Sequence, residues 1–153
     1  VLVGAGGAAR AALVGLRDAG AASIVVAARR PAQAAVLTEA LGGTPRALEG
    51  LSLEGATLVV QATSATLDAS AGAELAAALR LEATAPEATV VDLVYAPRRT
   101  AVLAAAEAVG RRTVDGVGML LHQGALALEA WTGQPAPLEA MRAALEASLG
   151  HSG

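Results

Sequence analysis

VLVGAGGAAR, residues 1–10, opens the chain, and this stretch decides the fold. A short apolar run leads into the spacing Gly4-x-Gly6-x-x-Ala9, and helix-forming residues follow from Ala8 to Asp18. A glycine loop between a strand and a helix is the setting of the dinucleotide-binding fingerprint. Gly4 permits a sharp turn, Gly6 lets the backbone approach a pyrophosphate, and the helix N-terminus offers free N–H groups to phosphates. The alternative is a plain strand–helix turn in a chain with 17 glycines.

Beyond this loop, apolar strands and helices alternate along the chain. The pattern predicts strands at 23–28, 57–61, 89–95 and 112–114, and helices at 31–41, 100–109, 118–131 and 137–149. The alanine-rich stretch Leu67–Glu87 gives helix signals without clear periodicity. Continuous apolar strands that alternate with helices favour a parallel sheet covered on both faces. We therefore predict one α/β domain over residues 1–153, with a doubly wound, Rossmann-type, mostly parallel sheet.

Composition excludes several classes of function. Eleven cationic residues, all arginine, against 14 acidic ones give a net charge of −3, which argues against nucleic acid or an anionic membrane as a partner. The chain has no Cys and no Lys, so thiol and Schiff-base chemistry are excluded. Its two histidines, His122 and His151, are too few and too distant for a metal cluster. We expect His122 not to act as a general base, because no orienting acid is evident.

The ends of the chain and its apolar runs bear on location. No uncharged run reaches the roughly 18 apolar residues that a membrane span needs. No targeting segment is visible, which predicts a cytoplasmic protein. The chain begins at Val1 inside an apolar run, and we expect an N-terminal portion to precede it.

The end of the predicted second strand indicates which dinucleotide binds. NAD-binding proteins carry an acidic residue about 20 residues past the glycines, to hold the ribose 2′-hydroxyl. Here the sequence reads Ala27-Ala28-Arg29-Arg30, and the next acidic residue is Glu39. Because guanidinium groups bind phosphate well, this pattern favours NADP over NAD. The alternative is an ordinary solvated arginine pair, as expected for Arg98-Arg99 and Arg111-Arg112.

Five segments in order along the chain together resemble the C-terminal NADP-binding domain of shikimate dehydrogenases. They are the glycine loop GAGGAARA (4–11), Ala28-Arg29-Arg30, Gln61-Ala62-Thr63-Ser64, DLVYAPRRT (92–100), and GVGMLLHQ (116–123) followed by Trp131-Thr132-Gly133. The resemblance covers nearly the whole chain. It implies NADPH-dependent reduction of 3-dehydroshikimate to shikimate by the whole protein, a step towards aromatic amino acids.

The resemblance also implies roles for particular residues. The pyrophosphate would be bound by Gly4, Ala5, Gly6, Gly7 and Ala8. The segment Ala28, Arg29 and Arg30 would face the adenosine 2′-phosphate, with Arg29 as its main contact, and Thr63 and Ser64 would lie beside the cofactor. Leu93, Gly116 and Met119 would line the nicotinamide side, while Tyr95 and Gln123 would reach the substrate.

Some positions depart from the family pattern. Ala28 replaces an asparagine, Arg30 replaces a hydroxyl residue, and Gln61 replaces an asparagine with a longer amide. Gln33 stands where some relatives carry another arginine. Thr66 and Leu67 follow Ala65 where a glycine is often found, which leaves the contacts of that loop open.

The family's catalytic Lys–Asp pair lies on an N-terminal domain, which this chain does not contain. We therefore assign no catalytic residue here, and expect the chain to bind NADP(H) without turnover. Alternatives are a quinate-active relative with relaxed cofactor use and a non-catalytic nucleotide-binding module. The N-terminal domain and the small substrate are the expected partners, and a homodimer is possible.

Other residues have structural interpretations beside the functional ones. Asp92 and Asp115 follow strands and are expected to cap the next segment. Trp131 is expected in the core or at a domain interface. On spacing alone, Tyr95 is equally consistent with a partly buried tyrosine whose hydroxyl meets water.

Overall fold

A six-stranded, entirely parallel sheet organises the chain, and the computed structural model describes residues 1–150 of it. Its strands are β1 (Leu2–Val3), β2 (Val25–Ala28), β3 (Thr44–Ala47), β4 (Leu58–Gln61), β5 (Thr89–Asp92) and β6 (Arg112–Val114). Their order across the sheet is β3-β2-β1-β4-β5-β6. This is the strand order of the doubly wound dinucleotide-binding fold, so the predicted fold class is confirmed.

Within residues 1–150, six α-helices connect and follow the strands. They are α1 (Gly7–Asp18), α2 (Pro31–Leu41), α3 (Ala69–Leu79), α4 (Ala101–Ala108), α5 (Val117–Thr132) and α6 (Leu138–Gly150). Among residues 1–150, no helix is both long and apolar enough to cross a membrane. His151, the second of the two histidines, lies outside the described residues.

Two apolar layers bury the faces of the sheet. On one face, Leu2, Val26 and Val60 pack with Leu13 of α1 and Leu37 of α2. The other face carries Val3, Val59 and Val90 against the leucines and valines of α3 and α4. Adjacent residues of one strand, such as Leu2 and Val3, enter different layers because side chains alternate along a strand. The helices that follow β1 and β4 therefore lie on opposite faces, which opens a crevice between these two strands.

The structure defines a strand and an α-helix that the sequence pattern left unassigned. Strand β3, with the sequence TPRA, is an edge strand that pairs with β2 alone and is mostly exposed, so it carries no apolar signal. A proline is tolerated there because an edge strand has one unpaired side. Helix α3 occupies the alanine-rich stretch left open at 67–87. It buries only Gly72, Leu75 and Leu79 among small residues, which explains the weak periodicity.

The fourth predicted strand is shorter than expected. Strand β5 ends at Asp92, so Tyr95 lies three residues beyond it and does not end the strand, as the sequence pattern had suggested. The carboxylate of Asp92 accepts the N–H of Val94 at 2.9 Å and turns the chain out of the sheet. A short polar side chain that binds the backbone two residues on is a common way to form such a turn.

Candidate nucleotide-binding site

A cavity of about 510 Å³ lies at the carboxyl edge of the sheet, at the crevice between β1 and β4. Its lining comes from the glycine loop, the end of β2, the segment after β4 and one side of α3. Small-molecule sites commonly measure about 300–1,000 Å³. Ligands of open α/β sheets bind at this type of crevice, so the cavity is the candidate site.

Gly4 shapes the first turn of the glycine loop. Its φ of +119° is a conformation that residues with a side chain rarely adopt. A Cβ at this position would lie 3.0 Å from the carbonyl oxygen of Ala62 and 3.1 Å from Cγ2 of Thr63. Gly4 therefore lets the first loop pack closely against the segment that follows β4.

The remaining loop residues lead into α1 and stay open. Ala5 lines the cavity with Gly4, while Gly6, Gly7 and Ala8 follow directly and are exposed. Gly6 precedes α1 without a side-chain cap, and the first turn of the helix carries no acidic residue. A Cβ on Gly6 or Gly7 would meet no other atom within 4 Å. The N-terminus of α1 therefore offers uncapped N–H groups with open space in front of them. This arrangement suits the binding of phosphate.

The two arginines after β2 lie at the cavity as well. Ala28, Arg29 and Arg30 all line it, and both guanidinium groups are exposed. Within residues 1–150, no hydrogen bond or ion pair involves either guanidinium. The cationic groups are thus free to bind an anion in the cavity.

The other two arginine pairs lie largely at the solvent-exposed surface, as expected, but they differ in having partners within the chain. Arg98 binds Asp115 at 2.8 Å and Glu146 at 2.9 Å, and Arg99 binds Glu107 at 2.9 Å. The hydrogen bond and charge of Asp115, with the charge of Glu146, raise the pKa of Arg98. Arg111 donates to the hydroxyl of Thr84 and to nearby carbonyl groups. Of the three pairs, only Arg29 and Arg30 lack internal partners in the described part of the chain.

Thr63 and Ser64 form the third wall of the cavity. The side-chain amide of Gln61 forms hydrogen bonds to both the N–H and the carbonyl group of Thr63. It accepts the Thr63 N–H through Oε1, and Nε2 donates to the Thr63 carbonyl oxygen at 3.0 Å. Gln61 is fully buried, so the longer amide that replaces the family's asparagine serves the backbone of this loop.

The residues expected on the nicotinamide and substrate side lie outside this cavity. Gly116, before α5, donates its N–H to the carbonyl oxygen of Val94 at 3.2 Å. A Cβ on Gly116 would overlap the carbonyl group of Leu93. The glycine therefore permits a close approach of Gly116 to the backbone of Leu93. Met119 and Tyr95 are partly exposed, and Gln123 is exposed and donates to the carbonyl of Leu120 on its own helix. The structure therefore brings Leu93 and Gly116 together and leaves Tyr95, Met119 and Gln123 on the surface.

Comparison with known proteins identifies the relatives of this arrangement. Residues 116–146 match the family model described as the shikimate 5′-dehydrogenase C-terminal domain. The NADP(+) shikimate dehydrogenase of Halobacterium salinarum is 46% identical over 151 residues, which cover 97% of this chain and 55% of the relative. Over nearly its whole length, the chain is similar to shikimate dehydrogenases. The resemblance noted in the sequence is confirmed.

Solved structures show the same similarity. Shikimate 5-dehydrogenase of Thermus thermophilus, in complex with NADP(H) and shikimate, is 38% identical with a TM-score of 0.81, over 97% of this chain and 54% of that one. Quinate dehydrogenase of Corynebacterium glutamicum, in complex with NAD, is 30% identical with a TM-score of 0.78, over 92% and 52%. The chain spans about half the length of the curated relatives it matches.

Sequence reasoning missed part of the cavity. Leu48, Asp68, Glu74 and Leu75 also line it, and the last three lie at or in α3, the helix that was not predicted. Asp68 accepts the N–H of Ala71 at 2.8 Å and caps that helix. An aspartate just before an alanine-rich run is a helix-start signal that could have found α3.

Two further expectations concern side chains away from the cavity. Trp131 is 82% exposed, so its assignment to the core is wrong, while an interface role stays a prediction. Within residues 1–150, no group of three His, Cys, Asp or Glu side chains could hold a metal ion.

Proposed function

We propose that the chain is the NADP-binding domain of an NADP-dependent shikimate dehydrogenase. The observation that carries the proposal is the unpartnered pair Arg29 and Arg30 on the same cavity as the glycine loop. Phosphate at the ribose 2′-position is the group that distinguishes NADP from NAD, and guanidinium is its usual partner. The NADP(+) relatives and the NADP(H) complex of the Thermus thermophilus enzyme support the same cofactor.

The residues of the cavity fit the dinucleotide. Gly4–Ala8 and the N-terminus of α1 would hold the pyrophosphate, since Gly6 leaves open space beside uncapped N–H groups. Arg29 and Arg30 would bind the 2′-phosphate. Thr63 and Ser64 would contact the cofactor from the segment after β4. NADPH, when bound, supplies the hydride.

The reacting half of the site would lie along the exposed side of α5. Leu93, Gly116 and Met119 would line the nicotinamide side, and Tyr95 and Gln123 would reach the substrate. No proton donor is assigned here: Asp92 is fully buried, and both of its carboxylate oxygens already accept hydrogen bonds from the chain. The base and most substrate contacts would come from an N-terminal domain.

The half-length match to the relatives supports a second domain, and the exposed apolar side chains of this chain suit contact with it. Tyr95 (41%), Met119 (37%), Leu126 (68%) and Trp131 (82%) all have exposed side chains. The whole protein would reduce 3-dehydroshikimate to shikimate, with residues 1–153 as one nucleotide-binding domain. A cytoplasmic location would suit a biosynthetic enzyme of this type.

Calorimetric titration of the purified chain with NADPH and NADH tests the cofactor assignment. We expect tighter binding of NADPH. Equal affinities would refute the role of the arginines, and no binding of either dinucleotide would refute the nucleotide site. Assay of the protein with its N-terminal domain, on shikimate and on quinate with NADP⁺, tests the activity. Turnover of quinate alone would overturn the substrate assignment.

A further inference from the structure

A buried polar cluster lies directly beneath the candidate site. It consists of Asp92 and Gln61, both fully buried, with Thr66 and Thr100, which are 4% and 1% exposed. Gln61 ends β4 and Asp92 ends β5, while Thr66 lies in the turn before α3 and Thr100 precedes α4. We call these four residues the Asp92 cluster. It joins four separate segments of the chain at the carboxyl edge of the sheet.

The carboxylate of Asp92 is the centre of this cluster. Its Oδ1 accepts from Nε2 of Gln61 at 3.1 Å, from the hydroxyl of Thr66 at 3.3 Å and from the N–H of Val94 at 2.9 Å. Its Oδ2 accepts from the hydroxyl of Thr100 at 2.7 Å. No ion pair within residues 1–150 includes Asp92. A buried charge is costly unless hydrogen bonds compensate for the lost water, and these four donors supply that compensation. An apolar side chain at this position would need no such partners.

On one side, the cluster controls the wall of the nucleotide cavity. Gln61, bound to Asp92, also binds the N–H and the carbonyl oxygen of Thr63. Thr63 in turn lies against Gly4, where even a Cβ would come within 3.1 Å of it. The spacing between the glycine loop and the segment after β4 therefore depends on Gln61, and through it on Asp92.

On the other side, the cluster controls the residues assigned to the nicotinamide and substrate. Asp92 holds the N–H of Val94, whose carbonyl oxygen accepts the N–H of Gly116. Tyr95 is the next residue along the chain. The hydroxyl of Thr100 donates to Asp92 and also accepts the N–H of Leu103 at 3.2 Å, which caps α4. The segment Val94–Thr100 is thus fixed at both ends by one carboxylate.

We infer that Asp92 is a positioning residue for cofactor binding: it touches no ligand, but it sets the cavity wall at Thr63 and the segment at Tyr95 and Gly116 relative to each other. The inference rests on the proposed function for the identity of the ligand. The single carboxylate of Asp92 accepts hydrogen bonds from both segments and so fixes their relative position. A change at Asp92 therefore disturbs both segments. Residues that contact no ligand can still change its affinity through such a network.

Asp92→Asn tests the inference with almost no change in volume. The amide nitrogen cannot accept a hydrogen bond, so one or more of the four donors loses its partner. We expect the Kd for NADPH to rise about three- to tenfold in protein that is shown by urea unfolding to be fully folded under the assay conditions. In the free protein, we expect the amide NMR signals of Thr63, Tyr95 and Gly116 to shift together.

Thr84→Val is the matched control. The hydroxyl of Thr84 is also buried and donates to the carbonyl of Leu81 at 2.7 Å, but it precedes β5, at the other end of that strand. Its loss should lower stability and leave the Kd for NADPH unchanged. If Asp92→Asn does not fold, Thr66→Val and Thr100→Val each remove one donor, while Thr66→Ser and Thr100→Ser keep it and should restore wild-type affinity.

The outcomes separate this inference from the proposed function. An Asp92→Asn variant that binds NADPH like the wild type, with the signals of Thr63 and Tyr95 unmoved, would overturn the positioning role and leave Asp92 as a purely stabilising residue. A wild-type chain that does not bind NADPH would refute the proposed function. The NMR comparison of the free variants would then still decide whether Asp92 sets the positions of the two segments.

Discussion

Arg29→Ala and Arg30→Ala test the central claim about the cofactor. Each substitution removes an exposed guanidinium that lines the cavity and has no internal partner in the described part of the chain. Because no side-chain hydrogen bond or ion pair within the described residues is lost, the free energy of unfolding should change by no more than about 0.5 kcal/mol. Any large effect on the affinity for a dinucleotide must then arise from contact with that dinucleotide.

The expected loss of affinity for NADPH follows from the exposure of the two arginine side chains. A hydrogen bond to a charged group contributes about 1.5–3 kcal/mol. Since both arginines are exposed and screened by solvent, the lower end of that range applies. A loss of about 1.5 kcal/mol corresponds to a roughly tenfold higher Kd for NADPH in each variant. The Kd for NADH, which lacks the 2′-phosphate, should change by less than about twofold.

Calorimetry of the wild type, both single variants and the double variant, with each dinucleotide, measures these values. The double variant shows whether the two neighbouring arginines act independently or share one phosphate. Arg142→Ala, an exposed arginine on α6 outside the cavity, is the matched control and should bind like the wild type. An Arg29→Ala variant that weakens NADPH and NADH equally would contradict the reasoning and make Arg29 a structural residue.

Glycine and tryptophan substitutions separate packing from binding. Gly4→Ala should lower the free energy of unfolding by about 1–3 kcal/mol in urea titrations, because its φ is +119° and a Cβ would press on Ala62. Gly6→Ala has open space and should leave stability unchanged, yet raise the Kd for NADPH about tenfold or more by blocking the backbone. Gly116→Ala should lower stability by about 1–3 kcal/mol through overlap with the Leu93 carbonyl, which thermal unfolding beside the open position Gly118→Ala would check. Trp131→Ser should shift the free energy of unfolding by no more than about 0.5 kcal/mol, since a larger loss would contradict its 82% exposure.

The elements that could be predicted from sequence are those that bury apolar side chains at regular spacing. Strands β2, β4 and β5 are short apolar runs, and the glycine loop adds a motif with a physical reason for each glycine. Strand β3 could not be found this way because an exposed edge strand needs no apolar residues. Helix α3 was missed because alanine and glycine pack closely without producing a strong periodic signal.

Some parts of the candidate site could likewise be predicted from local sequence, and other parts could not. Its glycine loop and the free arginines after β2 follow from local spacing, because the carboxyl ends of parallel strands meet at one edge of the sheet. The partners of Asp92 do not follow from spacing, since Gln61 and Thr100 are 31 and 8 residues away from it. The pairing of β4 with β5 places Gln61 beside Asp92, and the segment that follows β5 returns Thr100 to it.

The location of the cavity bears on how the proposed activity is shared within the whole protein. Gly4, Arg29, Arg30 and Thr63 line a cavity between loops of this chain, whereas Tyr95, Met119 and Gln123 lie exposed outside it. Hydride transfer requires the donor carbon and the acceptor carbonyl in near-attack geometry, which exposed side chains on one surface do not enforce. Under our proposal, this chain therefore provides the affinity for the cofactor and the preference for NADP over NAD. A second domain over Tyr95 and Met119 would provide the enclosure in which reduction takes place.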